Sequence, residues 1–190
     1  MEKFTQDELL AQRSEIINLL RSTNRDGIDK LINFLDKSKY FFCWGSFRHH
    51  KYVGGLAEHS LEVYKNAIMH NKNCDKNSII ISSLMHDLCK VSYDFPKETK
   101  EYFSKGHGTK SIRILEDYIG FTLTDSERRA IRYHMGSKCY LPTDADKIEY
   151  EKATNEELWE LIHEGDCISC GHYPEFMHST VKTIIKTFKL

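Results

Sequence analysis

The chain has 190 residues, 27 basic against 28 acidic, and a formal charge of −1. That balance excludes capture of nucleic acid or an anionic membrane by bulk charge and leaves only local basic sites. No stretch approaches the roughly 18 apolar residues of a membrane span, and the amino-terminal MEKFTQDE has no apolar leader core, so a cytoplasmic protein with one globular unit over residues 1–190 is expected.

Prolines occur only at Pro96, Pro142 and Pro174, and apolar residues between them recur at three- and four-residue spacing, which predicts an all-α fold. Leu9, Leu10, Ile16, Ile17, Leu19 and Leu20 mark a first helix. Ile28, Leu31, Ile32 and Leu35 mark a second, entered through Asp26-Gly27. These two, within residues 1–38, are expected to pack on a core spanning 50–170. Residues 39–55, YFFCWGSFRHHKYVGG after Lys39, are aromatic, basic and punctuated by glycine, and read as an ordered loop.

A third helix is expected from about Leu56 to Asn71, with Ala57, Leu61, Tyr64 and Ile68 in one stripe and His59 at its edge. The run from Ile79 to Met85 predicts a buried fourth helix that stops at His86-Asp87. The polar segment after it, containing Pro96, reads as a loop or short hairpin. A fifth helix starts near Gly106-His107 and carries Ile112, Leu115 and Ile119; a sixth opens on Thr124 and Glu127, at capping-box spacing, and runs to His134. Residues 141–154 are polar and suggest no element. Leu158, Leu161, Ile162, Gly165 and Ile168 mark a seventh helix, and Phe176, Val181, Ile184, Ile185 and Phe188 a last one.

Six cysteines are scattered in a chain without a secretion signal, so free, mostly buried thiols are expected rather than disulfides. Cys167 and Cys170 form a lone CxxC with only His172 nearby; two core thiols one turn apart fit better than a zinc ribbon, which needs four ligands.

The chemistry concentrates elsewhere. An ionised Asp87 at the end of a buried helix needs a partner, because an unpaired buried carboxylate costs several kcal/mol. His59, His86, Asp87, His107, His134 and Asp166 are spread over five predicted helices, each within or beside an apolar stripe. Singly, each histidine is more often a satisfied core or surface residue. Together, imidazoles and carboxylates suit divalent manganese, iron, cobalt, nickel or zinc, and helical bundles build such sites between facing helices.

GGLAEHSLEV (Gly54 to Val63), LMHDLCK (Leu84 to Lys90), GHGTKS (Gly106 to Ser111), AIRYHMG (Ala130 to Gly136) and IHEGD (Ile162 to Asp166) occur in the order found in the HD superfamily, which this chain resembles over roughly residues 50–170. The resemblance implies an all-helical, metal-dependent phosphohydrolase. It implies His59, His86, Asp87 and Asp166 as ligands of one metal, and His107 and His134 as the added ligands of a second, with Asp87 between them. One or two divalent metals therefore stay open.

Lys90 resembles the lysine after the HD doublet of dinuclear relatives and is expected to meet a substrate phosphate if the helix continues; a solvated lysine past a helix end is the alternative. Arg48, His49, His50, Lys110 and Arg132 are candidate phosphate contacts or plain surface. Ser111 is a candidate to orient His107 or cap its helix, and His163 to support the metal ligands. Tyr40, Phe41, Phe42, Trp44 and Phe47 either stack a nucleobase or pack as core.

The expected function is hydrolysis of a phosphate ester or anhydride, with a nucleotide as the expected substrate, by metal-activated water. The alternatives are a non-catalytic, metal-dependent nucleotide-binding module and a purely structural metal. No GYP extension of cyclic dinucleotide phosphodiesterases and no attached nucleic-acid-binding module is present. The expected partner is a phosphorylated small molecule.

Overall fold

The structure is a computed structural model and describes residues 3–94, 106–139 and 141–171. The described residues form helices and turns with no strand, as the periodicity predicts. In chain order the helices are α1 (Gln6–Ser22), α2 (Ile28–Lys37), α3 (Gly55–His70), α4 (Lys76–Met85), α5 (His107–Arg113), α6 (Asp125–Tyr133), α7 (Asp144–Thr154) and α8 (Glu157–Ser169). The expected helix after Glu175 lies outside the described residues.

Local chemistry sets the boundaries. Thr5 with Glu8, Thr124 with Glu127 and Thr143 with Asp146 form capping boxes at α1, α6 and α7, each satisfying amide donors that the first turn leaves free. The box at Thr143 starts a helix where the polar sequence suggests no element. Helix five also differs from the plain helix expected: α5 passes into a π-helical turn, Ile114–Ile119, that closes at Gly120.

One continuous apolar core joins α1 and α2 to α3, α4, α6 and α8. The central helix, α3, lies against α4 and α8, and α6 against α5 and α8. Two glycines permit close crossings that matter for the site. A Cβ at Gly165 of α8 would stand 3.0 Å from the Val63 carbonyl oxygen on α3, and one at Gly108 of α5 would stand 2.3 Å from the Ile131 carbonyl oxygen on α6. The neighbours of these glycines, Asp166 and His107, are thereby drawn toward α3 and α6. No helix among the described residues is long and apolar enough to cross a membrane.

Two details correct the sequence reading. Of the six cysteines only Cys89 is buried; the others are half-buried, and Cys167 and Cys170 line a cleft instead of a core, because α8 turns its last turn toward that cleft. The aromatic run divides. Tyr40 and Phe41, in the 3-10 turn Tyr40–Phe42, are core residues, with Tyr40 Oη donating to the Leu84 carbonyl at 2.7 Å, whereas Phe42, Trp44 and Phe47 are exposed.

Candidate metal centre

Five helices and one turn deliver the predicted ligands, His107 being the first residue of α5. His59 is on α3, His86 and His134 sit at the C-caps of α4 and α6, and Asp166 is in the last turns of α8. Asp87 follows where α4 stops, and the chain then enters a 3-10 turn, Leu88–Asp94, instead of continuing the helix. Ser111 fixes that break: its hydroxyl donates to the His86 carbonyl at 2.7 Å and accepts the Cys89 amide at 3.0 Å. Its bonds thus hold the turn carrying His86-Asp87.

The imidazoles are held by their outer nitrogens. His86 Nδ1 donates to the Ser83 carbonyl at 2.8 Å and His134 Nδ1 to the Ile131 carbonyl at 2.7 Å, both among the helix-end carbonyls that lack intrahelical donors. His59 Nδ1 lies 2.8 Å from Ser169 Oγ, which donates to Glu62 Oε2 at 2.6 Å and so accepts from the ring. These partners place the proton on Nδ1 in all three rings and turn the Nε2 lone pair inward. Burial pushes the His86 imidazole down to about 4, so it is neutral near pH 7.

Inside, the Nε2 atoms of His59 and His86 stand 3.1 Å apart. Asp166 Oδ1 is 3.2 Å from the first and 3.9 Å from the second. The Asp87 carboxylate faces both sides of the cluster: Oδ2 is 3.7 Å from His59 Nε2 and 3.6 Å from His86 Nε2, while Oδ1 is 3.8 Å from His134 Nε2. His134 Nε2 is buried with no hydrogen-bond partner. His107 Nδ1 is 3.5 Å from Cys89 Sγ, and Asp87, Cys89 and His107 converge within 4.8 Å.

Two facing lone pairs, one orphaned ring nitrogen and two buried carboxylates form a set that a cation satisfies and that hydrogen bonds alone do not. The residues present therefore fit a divalent metal. His59, His86 and Asp166, with Asp87 beside them, would hold one ion, and Asp87 also groups with His86 and His134 on one side and with Cys89 and His107 on the other, where a second would sit. Burial pushes the Asp87 carboxyl up, but Lys90 and the surrounding imidazoles outweigh it and hold the group well below the usual carboxylate range. Burial likewise raises Asp166, and its contact with the His59 ring, ahead of the other nearby imidazoles, more than reverses this. Both stay ionised.

Lys90 does not share a helical face with His86. It folds back from the 3-10 turn, with Nζ 2.5 Å from Asp87 Oδ2, and lines a cleft of about 400 Å³. Burial lowers its ammonium and the Asp87 carboxylate more than offsets this, so it remains charged.

The other candidates scatter. Arg48 and His49 line the cleft. His50 stays beside His49 and His59 with Nε2 3.1 Å from Glu62 Oε2, Arg132 pairs with Asp146 of α7, and Lys110 lines a neighbouring cavity. His163 Nδ1 donates to the His134 carbonyl at 2.6 Å while its ring stacks on Trp159. Cys170 Sγ lies 3.1 Å from His49 Nε2 and 3.5 Å from Asp166 Oδ1, and burial raises its thiol. Sequence reasoning misses Glu62, Ser169 and Cys170 as parts of this site; Ser169 is 110 positions from His59, so no local spacing signals it.

The model of the HD domain matches residues 56–158, just over half of the chain, and ends before Asp166. No curated protein and no solved structure gives a significant match. HD domains bind divalent metals, the match covers five of the six convergent residues, and the sixth is brought to them by α8. The chain belongs to the HD-domain superfamily of metal-dependent phosphohydrolases.

Proposed function

We propose that this chain hydrolyses a phosphate ester or anhydride of a nucleotide, with His59, His86, Asp87 and Asp166, extended by His107 and His134, as the metal ligands. The observation that carries the reading is the inward-facing Nε2 atoms of three buried histidines, one of them without a hydrogen-bond partner, around two buried carboxylates beside a cleft lined by a lysine. A divalent manganese, iron, cobalt, nickel or zinc ion, when bound, supplies Lewis acidity toward water and the phosphoryl oxygens.

The chain's own residues do the rest. Asp87 fixes Lys90, and Lys90 presents a positive charge to the cleft where a phosphate enters. The Ser83, Ile131 and Ser169 contacts lock the imidazoles, so the ligand set needs little reorganisation when an ion binds. Asp87, Asp166 and His86 are buried, which limits competition from bulk water inside the cluster. Overall, water adds to phosphorus, the bond to the leaving oxygen breaks, and that oxygen leaves with a proton. Lys90 is the group we assign to the phosphate and Asp87 the group that orients it.

The test is hydrolysis of a panel of nucleoside phosphates by the purified chain, before and after chelation and re-addition of each metal. Phosphate release that disappears on chelation and returns with a divalent ion supports the reading. A chain that holds metal and binds nucleotides but releases no phosphate from any of them contradicts it and leaves the non-catalytic binding module.

A further inference from the structure

A second cavity, of about 420 Å³, adjoins the metal-type cleft and shares Ser46, Phe47, Lys90 and His107 with it. Its outer wall holds Phe42, Trp44 and Phe47, which are 59, 47 and 78 % exposed. Large aromatics gathered at a cavity mouth are the kind of apolar patch that marks a binding groove. Trp44 and Phe47 meet edge to face at 6.2 Å, and Lys51 Nζ stands 5.8 and 5.5 Å from their ring centres. Lys90 and Lys110 add positive charge to the same cavity.

The loop that presents these rings is built, not slack. Gly45 donates its amide to the His50 carbonyl and Ser46 to the His49 carbonyl, both at 2.9 Å, and Leu56 donates to the Cys43 carbonyl at 3.0 Å. Ser46 Oγ accepts the amides of Arg48 and His49, each at 3.1 Å. A Cβ at Gly45 would lie 2.6 Å from His50 Cβ, so the loop closes this tightly only with glycine there. All three rings precede residue 56, where the HD match begins, so they are a feature of this chain's own leading segment.

We propose that this cavity is a nucleobase subsite: the base stacks on one of the two perpendicular rings, Trp44 or Phe47, and meets the other at its edge, while its phosphate reaches the His/Asp cluster past Lys90 and His107. The proposal rests on the phosphohydrolase reading and deepens it by assigning the residues that hold the base. A sugar phosphate has no π-face to place against three rings, and an aliphatic chain gains nothing from the lysines. A planar heteroaromatic joined to a phosphate uses both, stacking at one end and ion pairing at the other. Because every base has a π-face, the subsite accepts purines and pyrimidines alike and discriminates against substrates that lack a base.

The probes are adenosine and cytidine, which carry no phosphate to hydrolyse, titrated into the purified chain and read by tryptophan fluorescence and by equilibrium dialysis. Adenosine 5′-monophosphate and ribose 5-phosphate are compared in turnover. We expect both nucleosides to bind and to perturb Trp44, and Trp44→Ala and Phe47→Ala each to weaken that binding at least tenfold. We also expect kcat/KM for the nucleotide to exceed that for ribose 5-phosphate by at least tenfold, with the gap closing in the two variants. Both substitutions are at exposed loop positions, and far-UV circular dichroism checks that each variant is folded. Failure of both nucleosides to bind at millimolar concentration, or binding untouched by both substitutions, overturns the subsite. Equal hydrolysis of nucleotide and ribose 5-phosphate overturns the subsite while keeping the phosphohydrolase, and nucleoside binding at the rings without any phosphate release keeps the subsite while the hydrolase reading fails.

Discussion

Two regions with buried carboxylates treat them in opposite ways. At the junction of the amino-terminal helices with α6, Glu127 has no exposed surface and every need is met by protein: Arg25 reaches it through two nitrogens at 2.6 and 3.2 Å, and the Thr124 amide donates at 2.8 Å. At the centre between α3, α4, α6 and α8, Asp87 and Asp166 are also buried, yet apart from the Lys90 ammonium on Asp87 they face imidazole nitrogens whose protons are committed elsewhere. A buried acid with complete protein partners is a fastener. A buried acid among inward lone pairs is half of a binding site, and it shows where a cation belongs.

Breaking the two regions separately should give different losses. The largest is Asp87→Asn: on the hydrolase reading it lowers turnover by about a thousandfold or more, about 4 kcal/mol of barrier, with metal content falling in parallel and the thermal midpoint of the chelated protein changing little. Arg25→Ala does the reverse. It strands the Glu127 charge and costs about 3 kcal/mol of stability in denaturant unfolding, while metal per folded chain is unchanged.

Acid sharpens the contrast in chelated protein. His86 has a folded pKa of about 4 against an ordinary 6.5. The unfolded chain gains a proton as pH falls through 6.5 and the folded one refuses it until about 4, so this contribution is intact above 6.5 and lost across that window. Stability should fall by about 3 kcal/mol between those limits for His86 alone, and His86→Gln should flatten the slope. Urea unfolding at a series of pH values reads it.

Two smaller effects locate the boundary of the site. Glu62→Gln removes the charge behind Ser169 and His59 and should weaken metal binding by about 10- to 100-fold, measured by competition with a chromophoric chelator. Arg132→Ala should change KM by less than about twofold, because that guanidinium is committed to Asp146 and lies outside the cleft. A large rise in KM would mean that Arg132 reaches the substrate after all.

Much of this was legible before any coordinates. Periodic isoleucines and leucines specify α1 to α4 and α8, and Thr124 with Glu127 marks the start of α6, because these signals are local and repeat within a turn or two. The short words around His59, His86, Asp87, His107, His134 and Asp166 name the cluster because each carries its own context. What escaped depends on contacts across the chain or on weak local signals. α7 is polar on most of its surface, and its start is marked by Thr143 with an Asp at the third position instead of the usual Glu or Gln. The stop of the fourth helix at His86-Asp87 was legible, but the Ser111 hydroxyl that holds it, 25 positions from His86, was not, because no spacing rule connects the two. The aromatic run carries no period that separates Tyr40 and Phe41 in the core from Phe42, Trp44 and Phe47 at the cavity; the 3-10 turn makes that division.

The central claim is that the buried His/Asp cluster is a divalent-metal centre, and elemental analysis of the chain purified without chelator or histidine tag tests it most directly. The account predicts one or two transition-metal ions per chain, lost in His59→Ala and Asp87→Asn, with two falling to one in His134→Ala if the second position is filled. Absence of bound metal after incubation with manganese, iron, cobalt, nickel and zinc in turn would contradict it, and would leave the facing nitrogens of His59 and His86 without the ion that their geometry calls for.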